Sequence, residues 1–181
     1  DDGILKIIGV NEKDLEDLLE NRLLIWHDEF DGNSLNKNNW NIEVRHDGVN
    51  NELEYYTDRT DNVFVENSNL VLKAIKEDYG NLHYTSGRIN YNNKFEFNYG
   101  RIEAKIKFPT SQSTGLWPAF WLLGASHEFD NDLNEAVGQP WPSCGEVDIA
   151  ETWRECTTVG TYLHYGDTGD SKKTITVGSS N

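Results

Sequence analysis

Two kinds of hydrophobic spacing divide the chain. Leucines fall at 15, 18, 19 and 23, among Asp14, Glu16, Asp17 and Glu20. Steps of three and four place them on one stripe of a helix, and Asn11 is a residue type that caps one. Residues 1–22 therefore read as an N-terminal appendage, helical in part. Over residues 23–181 the pattern becomes that of a β-protein. Short β-branched or alternating runs such as Asn62–Glu66, Leu70–Ala74 and Arg101–Phe108 are separated by clusters of Asn, Asp and Gly. Val63 to Ala74, turning at Asn67-Ser68-Asn69, predicts a hairpin, and Arg101–Phe108 predicts a strand with one buried face. Asn90–Asn93 and Asp130–Gly138 predict loops. Many short, closely spaced strands predict an all-β fold, an antiparallel sandwich or barrel.

One strand breaks its own alternation. In Gly145-Glu146-Val147-Asp148-Ile149-Ala150-Glu151, Glu146 and Asp148 share a face while Val147 and Ile149 take the other. Strict alternation would then send Glu151 to the apolar side, where a lone carboxylate is costly. One extra residue, a β-bulge near Ile149-Ala150, returns Glu151 to the acidic face. Three acids on one face repel each other, so a purely structural sheet gains nothing from them. The bulged span covers about 13 Å. Side chains leaning inward bring the carboxyls to roughly 5–7 Å, near the ≈ 5–5.5 Å that a retaining glycosidase needs. In that chemistry Glu146 is the nucleophile, Glu151 the general acid/base, and Asp148 orients the nucleophile. The bland alternatives are a solvated acidic strand edge and a cation site.

The neighbouring runs change that balance. In Gly115–Gly124, alternation puts Trp117, Ala119 and Trp121 on one face, where indole rings can stack on sugar faces. Packing in a core is the alternative for either ring. Gly160–Gly166 reads as a further strand whose His164 can reach the same cleft.

Charge narrows the partners. The 181 residues carry 31 acids against 16 bases, a net charge of −15. Such a field repels nucleic acid and anionic membranes and disfavours sulfated or uronic polysaccharides, while a neutral glycan is indifferent to it. No run of apolar residues is long enough to cross a membrane as a helix. Asp1-Asp2-Gly3 lacks the start of a signal peptide, so a removed signal and a secreted, extracellular location are the expectation. Two cysteines, Cys144 and Cys156, define neither a disulfide framework nor a zinc site, and free thiols are the favoured reading.

Taken together, these segments resemble glycoside hydrolase family 16 and its laminarinase (endo-β-1,3-glucanase) branch. GEVDIAE, preceded by WPSC, is similar to the branch's catalytic signature. LWPAFWLLG, GTYLHYG, LIWHDEFDG with Trp40 and the run Asn50–Thr57, and Tyr84–Ile89 follow in family order over residues 23–170. The resemblance implies a β-jelly-roll sandwich with a glycan cleft on its concave face. It implies Glu146 as nucleophile, Asp148 as its assistant and Glu151 as acid/base, with glycan contacts at Asn51, Arg88, Trp117, Trp121 and His164. It also implies a structural calcium near Glu29, and no cofactor for catalysis.

Three departures stand out. Ala125 to Pro140 is a longer, acidic insertion at one end of the expected cleft. Trp153-Arg154 is unusual for the branch, and Trp153 is a further candidate sugar platform or packing residue. The chain stops at Asn181, short of strands that family domains add, so a second chain or segment is expected to supply them. The expected function is endo-acting, retaining hydrolysis of β-1,3- or mixed β-1,3/1,4-glucan. The alternatives are a non-catalytic glucan-binding protein on the same fold and a family member acting on agar, carrageenan or xyloglucan.

Overall fold

The computed structural model describes residues 4–8, 24–46, 49–98, 100–109, 115–125, 127, 139–152, 158–166 and 173–180. The chain divides into two compact units, residues 2–109 and, with Asp1, residues 110–181. Thirteen strands and one short 3-10 turn, Val49–Asn51, make up the regular structure of the described residues. The all-β class expected from the sequence is thus what the chain adopts, and the expected helix over 14–20 lies outside the described residues.

In the first unit the central sheet is built from β1 (Ile4–Ile8), β4 (Val63–Val65), β5 (Asn69–Lys73) and β9 (Lys105–Lys107), in the order β4-β5-β1-β9 with every pair antiparallel. The hairpin read at Asn67-Ser68-Asn69 is present. Asn67 and Ser68 both take positive φ, 50° and 54°, and Glu66 and Asn69 exchange backbone hydrogen bonds of 2.9 and 3.0 Å. Two consecutive left-handed residues give the twist that a two-residue hairpin requires. Ile4–Ile8, within the stretch read as an appendage, is an interior strand of this sheet. The strand read over 101–108 is shorter, because only Lys105–Lys107 find a partner, on β1.

Two smaller sheets complete the unit. One pairs β2 (Asn41–Ile42) with β8 (Ile89–Asn90); the other orders β3 (Tyr55–Tyr56), β7 (Leu82–Ser86) and β6 (Ile75–Tyr79), with β3 parallel to β7. The core is Phe30, Leu35, Trp40, Val63 and Leu70, flanked by Trp26, Ile42, Val65, Leu72, Ile89 and Tyr91. Asp28 fixes the aromatic end of this cluster. Its carboxylate accepts from the Phe30 amide at 2.9 Å and from the Trp40 indole at 2.8 Å.

The second unit holds one four-stranded antiparallel sheet. Its order is β10 (Ala119–Leu123), β11 (Glu146–Glu151), β12 (Val159–Tyr165), β13 (Lys173–Ser180).

Candidate active site

The site is built on β11, and its register decides which side chains share a face. Glu146 lies opposite Leu123, Asp148 opposite Trp121, and Glu151 opposite Ala119. Partners two residues apart on a regular strand face the same way, so all three acids do too. Going from Asp148 to Glu151 takes three steps along β11, where the partner positions on β10, Trp121 to Ala119, are two steps apart. The surplus residue is Ile149, and the register shifts there against both neighbours. Its carbonyl accepts from Thr161 Oγ1 at 3.1 Å, which gives the bulged backbone a partner. The kink expected near Ile149-Ala150 is therefore in place. On the opposite face Val147, expected toward the core, is 38% exposed, while Asp148 is 3% exposed. The alternation holds, but burial is greater on the acidic side because His164 and the flanking aromatics close over it.

Each acid has a named partner. Trp141 Nε1 donates to Glu146 Oε2 at 2.6 Å, and Trp117 Nε1 donates to Glu151 Oε1 at 2.5 Å. His164 Nε2 lies 3.0 Å from Asp148 Oδ2. His164 is opposite Glu146 on β12 and Tyr162 opposite Asp148, so the strand places the imidazole beside the acids. Gly160, opposite Glu151, leaves room for the Tyr162 phenol; a Cβ at that position would collide with it.

The turn before β11 carries Trp141. Cys144 N bonds Pro140 O at 3.2 Å and Gly145 N bonds Pro142 O at 2.9 Å, and the Trp141–Pro142 peptide is cis. Gly124 N bonds Gly145 O at 2.9 Å, and a Cβ on Gly124 would strike the Cys144 carbonyl. Glycine at 124 is thus what lets the end of β10 close against this turn. Cys144 is a free thiol, 3.5 Å from His127 Nδ1, and burial pushes its pKa up. Cys156 lies outside the described residues.

Crowded acids in a half-buried place resist ionisation. Burial, then the charges of Glu146 and Glu151, push Asp148 up to about 7. Burial also raises Glu151, and the Glu146 charge adds to this; the Trp117 hydrogen bond and His164 act against it. A protonated Asp148 donates a hydrogen bond to Glu146, which further favours the neutral form of Asp148.

The structure thus brings Glu146, Asp148, Glu151, Trp117, Trp121 and His164 onto one sheet or its adjoining loops. Trp117 is 42% exposed, as a platform for a ligand requires. Trp141 was passed over in the sequence. Its position in WPSCGE was the available signal, but the indole's direction depends on the turn.

Asn51 and Arg88 belong to the first unit. Asn51 is exposed and follows Asn50 in a turn where both take positive φ, 61° and 56°. Arg88 is 3.1 Å from Glu43 Oε1 and sits over the Tyr56 ring, while Tyr56 donates to Glu52 at 2.8 Å. Trp153 and most of the 125–140 insertion lie outside the described residues; within the latter, His127 and Gln139 form a β-bridge.

Two places bear on metal binding. Glu29 Oε2 is buried with no hydrogen-bond partner among the described residues, and Oε1 faces His27 at 3.5 Å. An orphaned carboxylate oxygen suits a hard cation such as calcium. The Glu146, Asp148 and His164 ligand atoms also lie within 4.8 Å of one another. Those groups are already engaged by Trp141 and by each other, and charge crowding of this kind is what carboxylate catalysis uses.

Comparison with known proteins places this geometry. A model of the beta-glucan synthesis-associated protein SKN1/KRE6/Sbg1 family matches residues 13–128. A glucan endo-1,3-beta-glucosidase of Cryptopygus antarcticus is 34% identical over 165 residues, covering 86% of this chain and 56% of its own. The solved laminarinase of a Flavobacterium species is 38% identical, with a TM-score of 0.63, and covers 87% of this chain and 67% of its own. The chain belongs to glycoside hydrolase family 16, in its laminarinase-like branch.

The SKN1/KRE6/Sbg1 family is itself related to family 16. The catalytic domain of an endo-1,3-beta-glucanase (laminarinase) from Thermotoga petrophila adds a TM-score of 0.69 at 36% identity, covering 90% of this chain and 64% of that one. The all-β architecture is the jelly-roll fold of these family 16 neighbours. This family 16 chain spans 22% and 56% of the length of the first two curated relatives it matches.

Proposed function

We propose that this chain carries the catalytic strand of an endo-acting, retaining glycoside hydrolase of β-1,3- or mixed β-1,3/1,4-glucan. The observation that carries the reading is the Ile149 bulge, which sets Glu146, Asp148 and Glu151 on one face with a separate donor at each glutamate. Glu146 attacks the anomeric carbon while Glu151 protonates the leaving oxygen; Glu151 then deprotonates the water that releases the glycosyl-enzyme. Asp148, its pKa raised to about 7, hydrogen-bonds to Glu146 and keeps the attacking carboxylate aimed. Relatives named endo-1,3-beta-glucosidase and laminarinase support the substrate class.

Trp117, Trp121 and His164 contact glycan beside the acids; Asn51, Arg88 and Trp153 are proposed contacts elsewhere in the chain. Catalysis needs no cofactor. Calcium, bound in part by Glu29, has a structural role: added calcium should raise the thermal midpoint of the wild type and leave that of Glu29→Gln unmoved. Secretion belongs to the same proposal, since a polymeric glucan must be met outside the cell.

A similarity to a beta-1,3-glucan-binding protein of Penaeus monodon, 35% over 68 residues, raises a non-catalytic reading. A binding protein has no use for two oriented glutamates, and both are here. The test is the release of reducing ends from laminarin, lichenan and agarose by wild type and Glu146→Gln. Release from laminarin by the wild type alone is expected. Equal release by both would remove Glu146 from its role, and release from agarose alone would remove the glucan.

A further inference from the structure

We propose that two indole N–H groups set how this site uses its two glutamates: Trp141 anchors the Glu146 carboxylate for attack, and Trp117 opposes protonation of Glu151. The inference rests on the nucleophile and acid/base roles given to those two glutamates above. It makes Trp117 and Trp141 positioning residues, in addition to any contact their rings make with sugar.

The geometry is symmetrical in kind. The two donors come from different loops, Trp117 two residues before β10 and Trp141 in the turn that leads into β11, and each meets one carboxylate, at 2.5 and 2.6 Å. An indole N–H can only donate. It bonds well to a carboxylate and has nothing to offer the O–H of a carboxylic acid, so the Trp117 bond favours the charged form of Glu151. The groups facing Glu146 are Asp148 and Glu151 on its own strand, His164 on β12, and Cys144 in the preceding turn. Glu151 is faced by Glu146, Asp148 and His164, with the Tyr162 phenol of β12 over its register partner Gly160. Their register partners on β10 are Ala119 and Leu123, which do not titrate. The mutual repulsion of the acids drives protons on; the Trp117 indole pushes back.

The two residues need this for different reasons. A nucleophile must be ionised before the sugar arrives, with one oxygen held and the other free to attack. Trp141 holds Oε2 of that carboxylate. An acid/base must give a proton in the first step and take one from water in the second. Burial raises the Glu151 pKa, and the Trp117 N–H acts against that rise, toward the form the second step needs.

The test is the pH profile of kcat/KM on laminarin for wild type, Trp141→Phe and Trp117→Phe, since phenylalanine keeps a flat ring and removes the donor. Trp141→Phe should lower kcat more than it changes KM, because the attacking carboxylate loses its anchor. Trp117→Phe should move the alkaline limb to higher pH, because Glu151 keeps its proton longer. The alkaline displacement should be about one pH unit, the size expected for losing a hydrogen bond to a charged group. As a second probe, 3-benzothienylalanine at position 117 or 141 keeps the shape of tryptophan without the N–H. A ¹³C titration of the Glu151 carboxyl gives a readout independent of turnover and should move upward when Trp117 loses its donor. An unmoved alkaline limb and Glu151 titration in Trp117→Phe, or an unchanged kcat in Trp141→Phe, would overturn the proposal. Should the wild type leave laminarin intact, the hydrolase reading falls, and the Glu151 titration still decides this one.

Discussion

The chain contains two dense polar clusters on strands, and they are built on opposite principles. In the first unit Arg59 pairs with Glu77 between Thr57, Asn62 and Thr85, three side chains at 0–1% exposure. Every charge there has its opposite. Asn62 donates to Lys73 O at 2.9 Å and to Thr85 Oγ1 at 3.0 Å, and accepts from Thr57 and Arg59. Hydrogen bonds from Arg59 and Thr85 hold Glu77 below the usual carboxylate range. In the second unit Glu146, Asp148 and Glu151 share one face and push Asp148 and Glu151 up. The first cluster is arranged for stability, while the second gives up stability to place like charges together, as carboxylate catalysis demands.

Removing a member should therefore have opposite consequences in the two places. The largest effect is expected for Glu146→Gln. Hydrolysis of laminarin should fall by at least about a thousandfold, while the thermal midpoint at pH 8 rises because one of three crowded charges has gone; a lower midpoint would contradict the account. Next is the pH dependence that Asp148 imposes. Its pKa in the fold is near 7, above the ordinary aspartate value, so the native state binds the extra proton. That contribution is full below about pH 4 and is lost as pH rises through 7, on the order of 4 kcal/mol in all. Denaturant unfolding of Asp148→Asn between pH 4 and 8 should show a flatter profile than the wild type.

Asn62→Ala in the balanced cluster should cost about 2 kcal/mol in urea unfolding, because Thr57 and Thr85 lose a buried partner. It should bring no gain at any pH. The smallest effect is expected for Glu77→Gln. That carboxylate is partly open to solvent, so the fall in urea midpoint should be slight and should shrink as salt is added.

The two clusters also differ in how far they could be read from sequence. GEVDIAE exposes its bulge because parity fails between Asp148 and Glu151, and a charge on the wrong side of a strand can be seen without coordinates. Trp117, Trp121 and His164 followed from strand alternation beside it. The Arg59 cluster gave no such signal, since its members come from a turn and from β6 and β7, and only the fold brings 57, 59, 62, 77 and 85 together. Trp141 was missed for a similar reason: its N–H is aimed by the turn that Gly124 and Gly145 permit. Ile4–Ile8 is a short apolar run whose strand character was legible, but pairing with β5 and β9 depends on residues some sixty to a hundred positions away.

The central claim is that Glu146 forms a covalent bond to sugar. The most direct measurement is to treat the chain with an activated 2-deoxy-2-fluoro glycoside of a β-1,3-linked glucose disaccharide and to map the label by mass spectrometry of peptides. A single fluoroglycosyl group on Glu146, absent from Glu146→Gln, is the predicted result. Label on Glu151, or turnover of laminarin with inversion at the anomeric carbon, would contradict it.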